Sequence, residues 1–282
     1  MSIVQAIVLG AVQGLTEFIP VSSSAHLIIV PWLFGWTDVF DDPAAKQTFD
    51  VALHVGTFFA ALIFFRVEVR HLIVSAWRSA TRRRIESFDD KLVWLLVVAS
   101  IPAAVFGFFF EGFIAEDLSQ PWVVAITLAC FGLLMLVIDR RAANDRPFES
   151  AGWGDSLVIG FAQAIALIPG TSRSGVTITA GVFRNLEREA AVRFSFLMSI
   201  PIIGGAALYK SLELISEGFG DAIGAGQFAA GMVAAFVTGY VAIAWMLQFL
   251  RTGTLTPFVI YRLALAAFIL IVIGTGLRPP TI

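Results

Sequence analysis

Apolar stretches of about twenty residues recur along this chain, and no other feature of it restricts the fold as strongly. A helix of that length crosses the hydrocarbon core of a bilayer. Six segments read as full spans: about 49–65, 92–112, 121–138, 194–212, 227–250 and 257–277. Charged residues make up 14% of the chain and hydrophobic ones 58%, whereas a soluble domain carries about a quarter charged. The 282 residues therefore suit one membrane domain, 1–282, with no room for a second, soluble one. Cys130, inside an apolar run, is the single cysteine, so no intrachain disulfide staples the fold. The start lacks a basic segment followed by a small-residue cleavage site, so no cleaved signal peptide is expected. There is no Walker loop, dinucleotide fingerprint, Cys/His zinc pattern or nucleic-acid module.

Two further apolar regions are broken. Residues 1–19 end at Pro20-Val21-Ser22-Ser23-Ser24, and the run that resumes at Ala25 stops near Phe34. As a helix that second arm reaches about 15 Å, half a hydrocarbon core. Residues 155–168 likewise end at Pro169-Gly170-Thr171-Ser172-Arg173-Ser174, before a short arm over 175–183. Each region reads as a re-entrant helical hairpin, because backbone broken at membrane depth survives only beside protein or a water-filled cavity. Gly10-Ala-Val-Gln13 matches Gly160-Phe-Ala-Gln163, and Ile19-Pro20-Val-Ser-Ser23 matches Ile168-Pro169-Gly-Thr-Ser172 after a one-residue gap. Each hairpin precedes three spans. The chain thus reads as an all-α polytopic protein built from an internal repeat, about 1–140 and 150–282. Loops 66–91, 139–150, 184–193 and residue 251 hold 14 of the 19 Lys and Arg residues. The opposite loops are acidic, with Asp38, Asp41, Asp42, Glu111, Glu116, Asp117, Glu213, Glu217 and Asp221. The basic set belongs in the cytoplasm, where Arg66, Arg70 and the run Arg82–Arg84 set topology and meet anionic headgroups. Three spans is an odd number, so the second repeat is inverted. Inverted repeats with broken helices bring a binding site to the midplane where they meet.

Three constellations carry chemistry. Gln13 and Glu17 share one helix face by their i, i+4 spacing, and an ionisable group at that depth is a functional candidate. Their oxygens suit a divalent cation. Ser22, Ser23 and Ser24 fall where a helix restarts, a position that favours capping and, through free N–H groups, an anion. Capping is the preferred reading for Ser24. His26, one turn further on, could act as a nucleophile toward phosphorus, as a general acid or base, or as the base of a serine. Arg173 in apolar sequence calls for an anion, and its planar fork fits phosphate. Ser172, Ser174, Thr177 and the backbone near Gly170 and Gly175 add donors. The competing reading is an Arg173–Glu17 ion pair with no ligand. His54 and Asp50 read as interfacial, and Arg262 as seeking a structural partner within the last span.

Gln13-x-x-x-Glu17, Pro20-Val-Ser-Ser-Ser-Ala-His26 and Pro169-Gly-Thr-Ser-Arg-Ser-Gly-Val-Thr177 together resemble the undecaprenyl-diphosphate phosphatase, or bacitracin-resistance, family over essentially the whole chain. The resemblance implies hydrolysis of the C55 isoprenoid diphosphate to its monophosphate at the bacterial plasma membrane, recycling the lipid for peptidoglycan synthesis. It implies a divalent cation, Mg or Ca, served by Glu17 and Gln13. Ser23 and His26 would be nucleophile and base, in an unsettled order. Arg173, with Ser22, Ser24, Gly170, Thr171, Ser172, Ser174 and Thr177, would hold the phosphates, in a site open to the periplasmic side. Partners would be the prenyl diphosphate and membrane lipids, with no nucleic acid; a homodimer is the assembly this reading allows for. The alternative is a secondary transporter or flippase for a phosphorylated solute or lipid.

Overall fold

The computed structural model describes residues 1–36, 43–217 and 223–281, and the side chains among these except at 43–44, 111–117 and 210–217. Of the acidic loop residues, Asp38, Asp41, Asp42 and Asp221 lie outside the described residues. Among the described residues the chain is helical: α1 (Ile3–Phe18), α2 (Ser23–Phe34), α3 (Pro43–Phe64), α4 (Arg66–Arg82), α5 (Phe88–Asp117) and α6 (Pro121–Arg141) precede a 3-10 turn, Phe148–Ser150. There follow α7 (Trp153–Ile165), α8 (Arg173–Phe183), α9 (Arg188–Glu217), α10 (Ala225–Phe249) and α11 (Thr256–Gly274). Six of these, α3, α5, α6, α9, α10 and α11, are long and apolar enough to cross a membrane. They coincide with the six spans expected from the sequence.

The two broken regions are pairs of short helices. Helices α1 and α2 pack together, as do α7 and α8, and each pair sits on a long helix distant in sequence: α1 on α10, α7 on α5. Absent side chains make this possible. A methyl on Gly10 would overlap the backbone of Gly231, and one on Gly160 would overlap the backbone of Ala99. These glycines are the first residues of the matched Gly-x-x-Gln segments. The core that results centres on Phe18, Phe65, Leu95, Phe194, Phe196 and Met246, with a second cluster around Ile28, Trp32, Leu128 and Ile269.

Residues 66–91, expected as a basic loop, are largely the helix α4. Its Leu72, Ser75 and Ser79 are buried while Trp77 stays 75% exposed. Trp94 donates to Ser79 Oγ at 3.0 Å, and Arg78 reaches Asp90 at 2.6 Å, so α4 is tied back to the start of α5. A polar helix of this kind is hidden by its own charge, since its buried face is one narrow stripe of small or apolar residues.

Several basic residues read as topology signals also pair with acids. The Asp155 carboxylate, 2% exposed, accepts from Gly152 N–H at 2.9 Å, from both terminal nitrogens of Arg146 at 2.7 and 3.1 Å, and from Arg184 at 2.8 Å. This clasp closes the open end of the α7–α8 hairpin. Asp139 does the same among α6, α9 and α11, accepting from Arg188 at 2.6 Å and from Leu255 N–H at 3.0 Å.

The close approach at Gly10 is testable. Gly10→Ala should lower stability by about 1–3 kcal/mol through overpacking, read as a fall in the thermal unfolding midpoint in detergent. Gly205→Ala, whose methyl meets nothing within 4 Å, should leave the midpoint unchanged or raise it. Asp155→Asn, which removes the charge but keeps the shape, should cost about 1–3 kcal/mol in the same assay.

Candidate active site

The two hairpin turns are built alike. After Ile19 the chain turns through Pro20 to Ser22, which caps α2 with φ 78° and ψ 100°; Ser172 caps α8 with φ 75° and ψ 110°. Positive φ is uncommon for a residue with a Cβ and persists only where the surroundings fix it. Here the caps fix it. Ser22 Oγ accepts from Ala25 N–H at 3.3 Å and lies 3.2 Å from Ser24 Oγ. Ser172 Oγ accepts from Gly175 N–H at 3.1 Å and lies 3.3 Å from Ser174 Oγ. Gly170 enters the second turn at φ 87°, and a Cβ there would collide with Thr127 Oγ1, the group that donates to Pro169 O at 2.7 Å.

The turns meet. Ser174 Oγ donates to Ile19 O at 3.3 Å, and Gly170 N–H points at Ser24 Oγ at 3.5 Å. Beneath them lies Arg262 of α11, wholly buried. Its guanidinium donates to Pro20 O at 3.4 Å, Gly170 O at 2.9 Å, Thr171 O at 3.0 Å and Leu128 O at 3.2 Å. The structural partner expected for Arg262 is thus the backbone of both turns. These carbonyls are thus satisfied inside the protein, while the N-termini of α2 and α8 carry N–H groups that their own helices do not use.

Glu17 stands at the centre, 6% exposed. Its Oε1 accepts from Arg173 at 2.7 Å, and its Oε2 accepts from Ser23 Oγ at 2.7 Å and from Gln13 Nε2 at 3.0 Å. Arg173 also donates to Ser195 O at 3.3 Å, and Ser195 Oγ lies 2.7 Å from Thr177 Oγ1. The ion pair joins the end of α1 to the start of α8. Gln13 Oε1 and Thr171 Oγ1 are buried without a partner, two open polar valences within the site region.

His26 takes a different position from the one its sequence neighbours suggest. Its Nδ1 lies 2.7 Å from Ser22 O and its Nε2 2.7 Å from Tyr261 Oη, with the two rings stacked at 5.7 Å. The Ser23 hydroxyl therefore gives its hydrogen bond to Glu17, while the imidazole braces the Ser22 turn against α11. Ser24, which the sequence favours as the cap, is exposed, and Ser22 caps the helix in its place. Tyr261 and Ser195 carry no signal in the sequence. His54 reads as interfacial from the sequence, yet its Nε2 is 3.8 Å from Glu17 Oε2. Only the packing of α3 against the rest could reveal that.

Comparison with known proteins identifies the family of the chain. A family model described as bacitracin resistance protein BacA matches residues 6–268. A curated protein of Pelobacter propionicus named undecaprenyl-diphosphatase is 42% identical over 98% of this chain and 99% of its own length. One of the same name from Moorella thermoacetica is 45% identical over 96% of this chain and 98% of its own, and one from Rubrobacter xylanophilus is 44% identical over 95% and 97%. With a family match over nearly its full length, relatives of this identity and six helices fit to cross a membrane, the chain is a multi-pass membrane protein of the bacitracin resistance protein BacA family.

Proposed function

We propose that this protein is an undecaprenyl-diphosphatase that cleaves the terminal phosphate from undecaprenyl diphosphate, recycling the carrier for cell-wall synthesis and conferring bacitracin resistance. The observation that carries the chemistry is the Ser23–Glu17–Arg173 chain, with its carboxylate buried, at the meeting of two capped turns. Charge at that depth is costly and marks function. The diphosphate is held by the helix N-termini of α2 and α8, by Ser22, Ser24, Ser172, Ser174 and Thr177, by the Gly170-Thr171 backbone, and by Arg173, which exchanges part of its pairing with Glu17 for phosphate oxygens. Ser23 Oγ attacks the terminal phosphorus as Glu17 Oε2 accepts its proton. The bond from that phosphorus to the bridging oxygen breaks, and its electron pair leaves with the prenyl monophosphate. Glu17 passes that proton to the departing monophosphate; water then attacks the phosphoserine, Glu17 taking its proton and returning it to Ser23 Oγ as the Oγ–P bond breaks, so serine and inorganic phosphate are released. His26 fixes the Ser22 cap and so the line of attack.

The relatives' names support the reaction, and the hydroxyl-to-carboxylate bond supports this order of roles over a histidine nucleophile. Three further features belong to the same reading. The halves 1–140 and 150–282 act as inverted repeats whose hairpins enter from opposite faces; the matched caps, the matched glycine contacts and the exchanged packing of α1 on α10 and α7 on α5 support it. The basic face is cytoplasmic and the site opens to the periplasmic side of the bacterial plasma membrane. The prenyl tail runs along exposed aromatic surface such as Phe108 and Phe109, 71% and 72% exposed.

A divalent cation, Mg or Ca, completes the site. Among the described residues no three His, Cys, Asp or Glu gather into a ready-made metal centre. The fit rests on Glu17 with the unpartnered Gln13 Oε1, a partial shell of the kind that phosphate oxygens complete. Bound there, the cation neutralises charge on the phosphates.

Phosphate release from undecaprenyl diphosphate by purified protein should be abolished by chelator and restored by added cation. Solute or lipid uptake in proteoliposomes without hydrolysis would overturn the assignment in favour of transport. Ser23→Ala, Arg173→Ala and His26→Ala should each lower turnover by at least about 100-fold while leaving a monodisperse, membrane-inserted protein. Acid-quenched enzyme should carry acid-stable phosphate on Ser23, and acid-labile phosphate on His26 would make the histidine the nucleophile instead. With Cys130 replaced, single cysteines at 82 and 116 should react with impermeant reagent from opposite sides of the membrane.

A further inference from the structure

Among the described residues, His54 is an ionisable group at Glu17 that the sequence pattern of the site leaves unused. It sits in α3, 38% exposed, so it faces the open side of the buried carboxylate. Its Nδ1 lies 2.7 Å from the carbonyl of Asp50, one turn back. Since a carbonyl only accepts, Nδ1 bears the hydrogen, and in the neutral ring the lone pair is on Nε2. That lone pair is 3.8 Å from Glu17 Oε2. Metal-bound histidines characteristically donate their other ring N–H to a carbonyl or carboxylate in this way. Two protein ligands about 2.1 Å from one ion stand roughly 3–4 Å apart, so a small rotation of either side chain brackets a cation. On the same Glu17 oxygen lies the amide of Gln13, 0% exposed, whose Oε1 has no partner. A carboxylate oxygen and an imidazole nitrogen of fixed tautomer therefore converge from α1 and α3; the Gln13 amide turns its nitrogen to that carboxylate, and a half-turn about its last bond exchanges that nitrogen for the open Oε1.

We infer that His54 Nε2 is a protein ligand of the divalent cation, together with Glu17 and Gln13, and that it tilts the site from Mg and Ca toward Mn or Co. This rests on the cation site proposed for Glu17 and Gln13. An imidazole ligand favours transition metals, whereas an all-oxygen site suits Mg and Ca, and two or three protein ligands leave positions for phosphate oxygens. The other two histidines are accounted for: His26 has both nitrogens engaged, and His71 lies on α4 among the basic residues.

The test is Mn binding to the purified full-length protein in detergent, with and without methylenediphosphonate, followed by electron paramagnetic resonance. Bound Mn should show modulation from a directly coordinated imidazole nitrogen. His54→Gln, which offers oxygen in place of nitrogen, should lose that modulation and bind Mn on the order of tenfold more weakly while Ca binding holds. Glu17→Gln should weaken both ions. Mn bound with no nitrogen modulation, or with equal affinity in His54→Gln, would overturn the role of His54 and leave the cation reading standing. No binding of Mn or Ca under either condition would remove the cation reading and this inference together. The nitrogen signal is read on the unsubstituted protein, so the test does not depend on any variant folding.

Discussion

A buried guanidinium that meets carbonyls in place of a carboxylate holds the centre of this protein. Arg262 is wholly enclosed, and its hydrogen bonds go to the backbone of both hairpin turns and of α6. A helix broken inside an apolar slab leaves peptide groups that no solvent can satisfy. Arg262 answers that demand for three carbonyls at once, from two segments about 150 residues apart. With those carbonyls satisfied inside the protein, the N-termini of α2 and α8 still carry N–H groups that their own helices do not use. The same contact that makes the break tolerable thus frames the proposed diphosphate site.

The ion pair of Glu17 and Arg173 depends on that frame. Both side chains lie in apolar surroundings where separated charge is expensive, and such a pair adds little stability compared with well-packed apolar groups. Its value lies in chemistry. In the proposed reaction a low dielectric would strengthen the hold of the guanidinium on phosphate and of the carboxylate on the Ser23 hydroxyl. Held between two rigid turns, the groups need little rearrangement when substrate arrives. His26 adds to this rigidity by bracing Ser22 against Tyr261, which explains its burial beside a serine cluster that it does not itself touch through Ser23.

The hairpins keep their place through small residues and through clasps at the basic ends of the helices. Gly10 and Gly160 let short helices lie directly on the backbone of α10 and α5. Van der Waals contact of this closeness is a main source of helix association where lipid is as apolar as leucine. Asp155 and Asp139 secure the ends that carry the basic residues, so part of the charge asymmetry that orients a membrane protein also fastens its loops.

Much of this was legible before any coordinates. Six spans follow from apolar length, because a bilayer imposes one dimension on every helix that crosses it. The two breaks follow from Pro20 and Pro169 with their serines, and the candidate residues from the cost of placing Glu17 and Arg173 in apolar sequence. What sequence could not supply is which groups face each other across α1, α3, α8 and α11. The family resemblance offered Ser23 and His26 as nucleophile and base, whereas the helical turn between them sends one side chain to Glu17 and the other to Tyr261. It set His54 aside because its distance from Glu17 is written only in the packing of α3. It read α4 as a loop because a helix with a narrow buried stripe looks polar. Depth and length are properties of a segment, fixed by its solvent, and a sequence states them. Convergence is a property of how segments pack, and only the tertiary structure decides it.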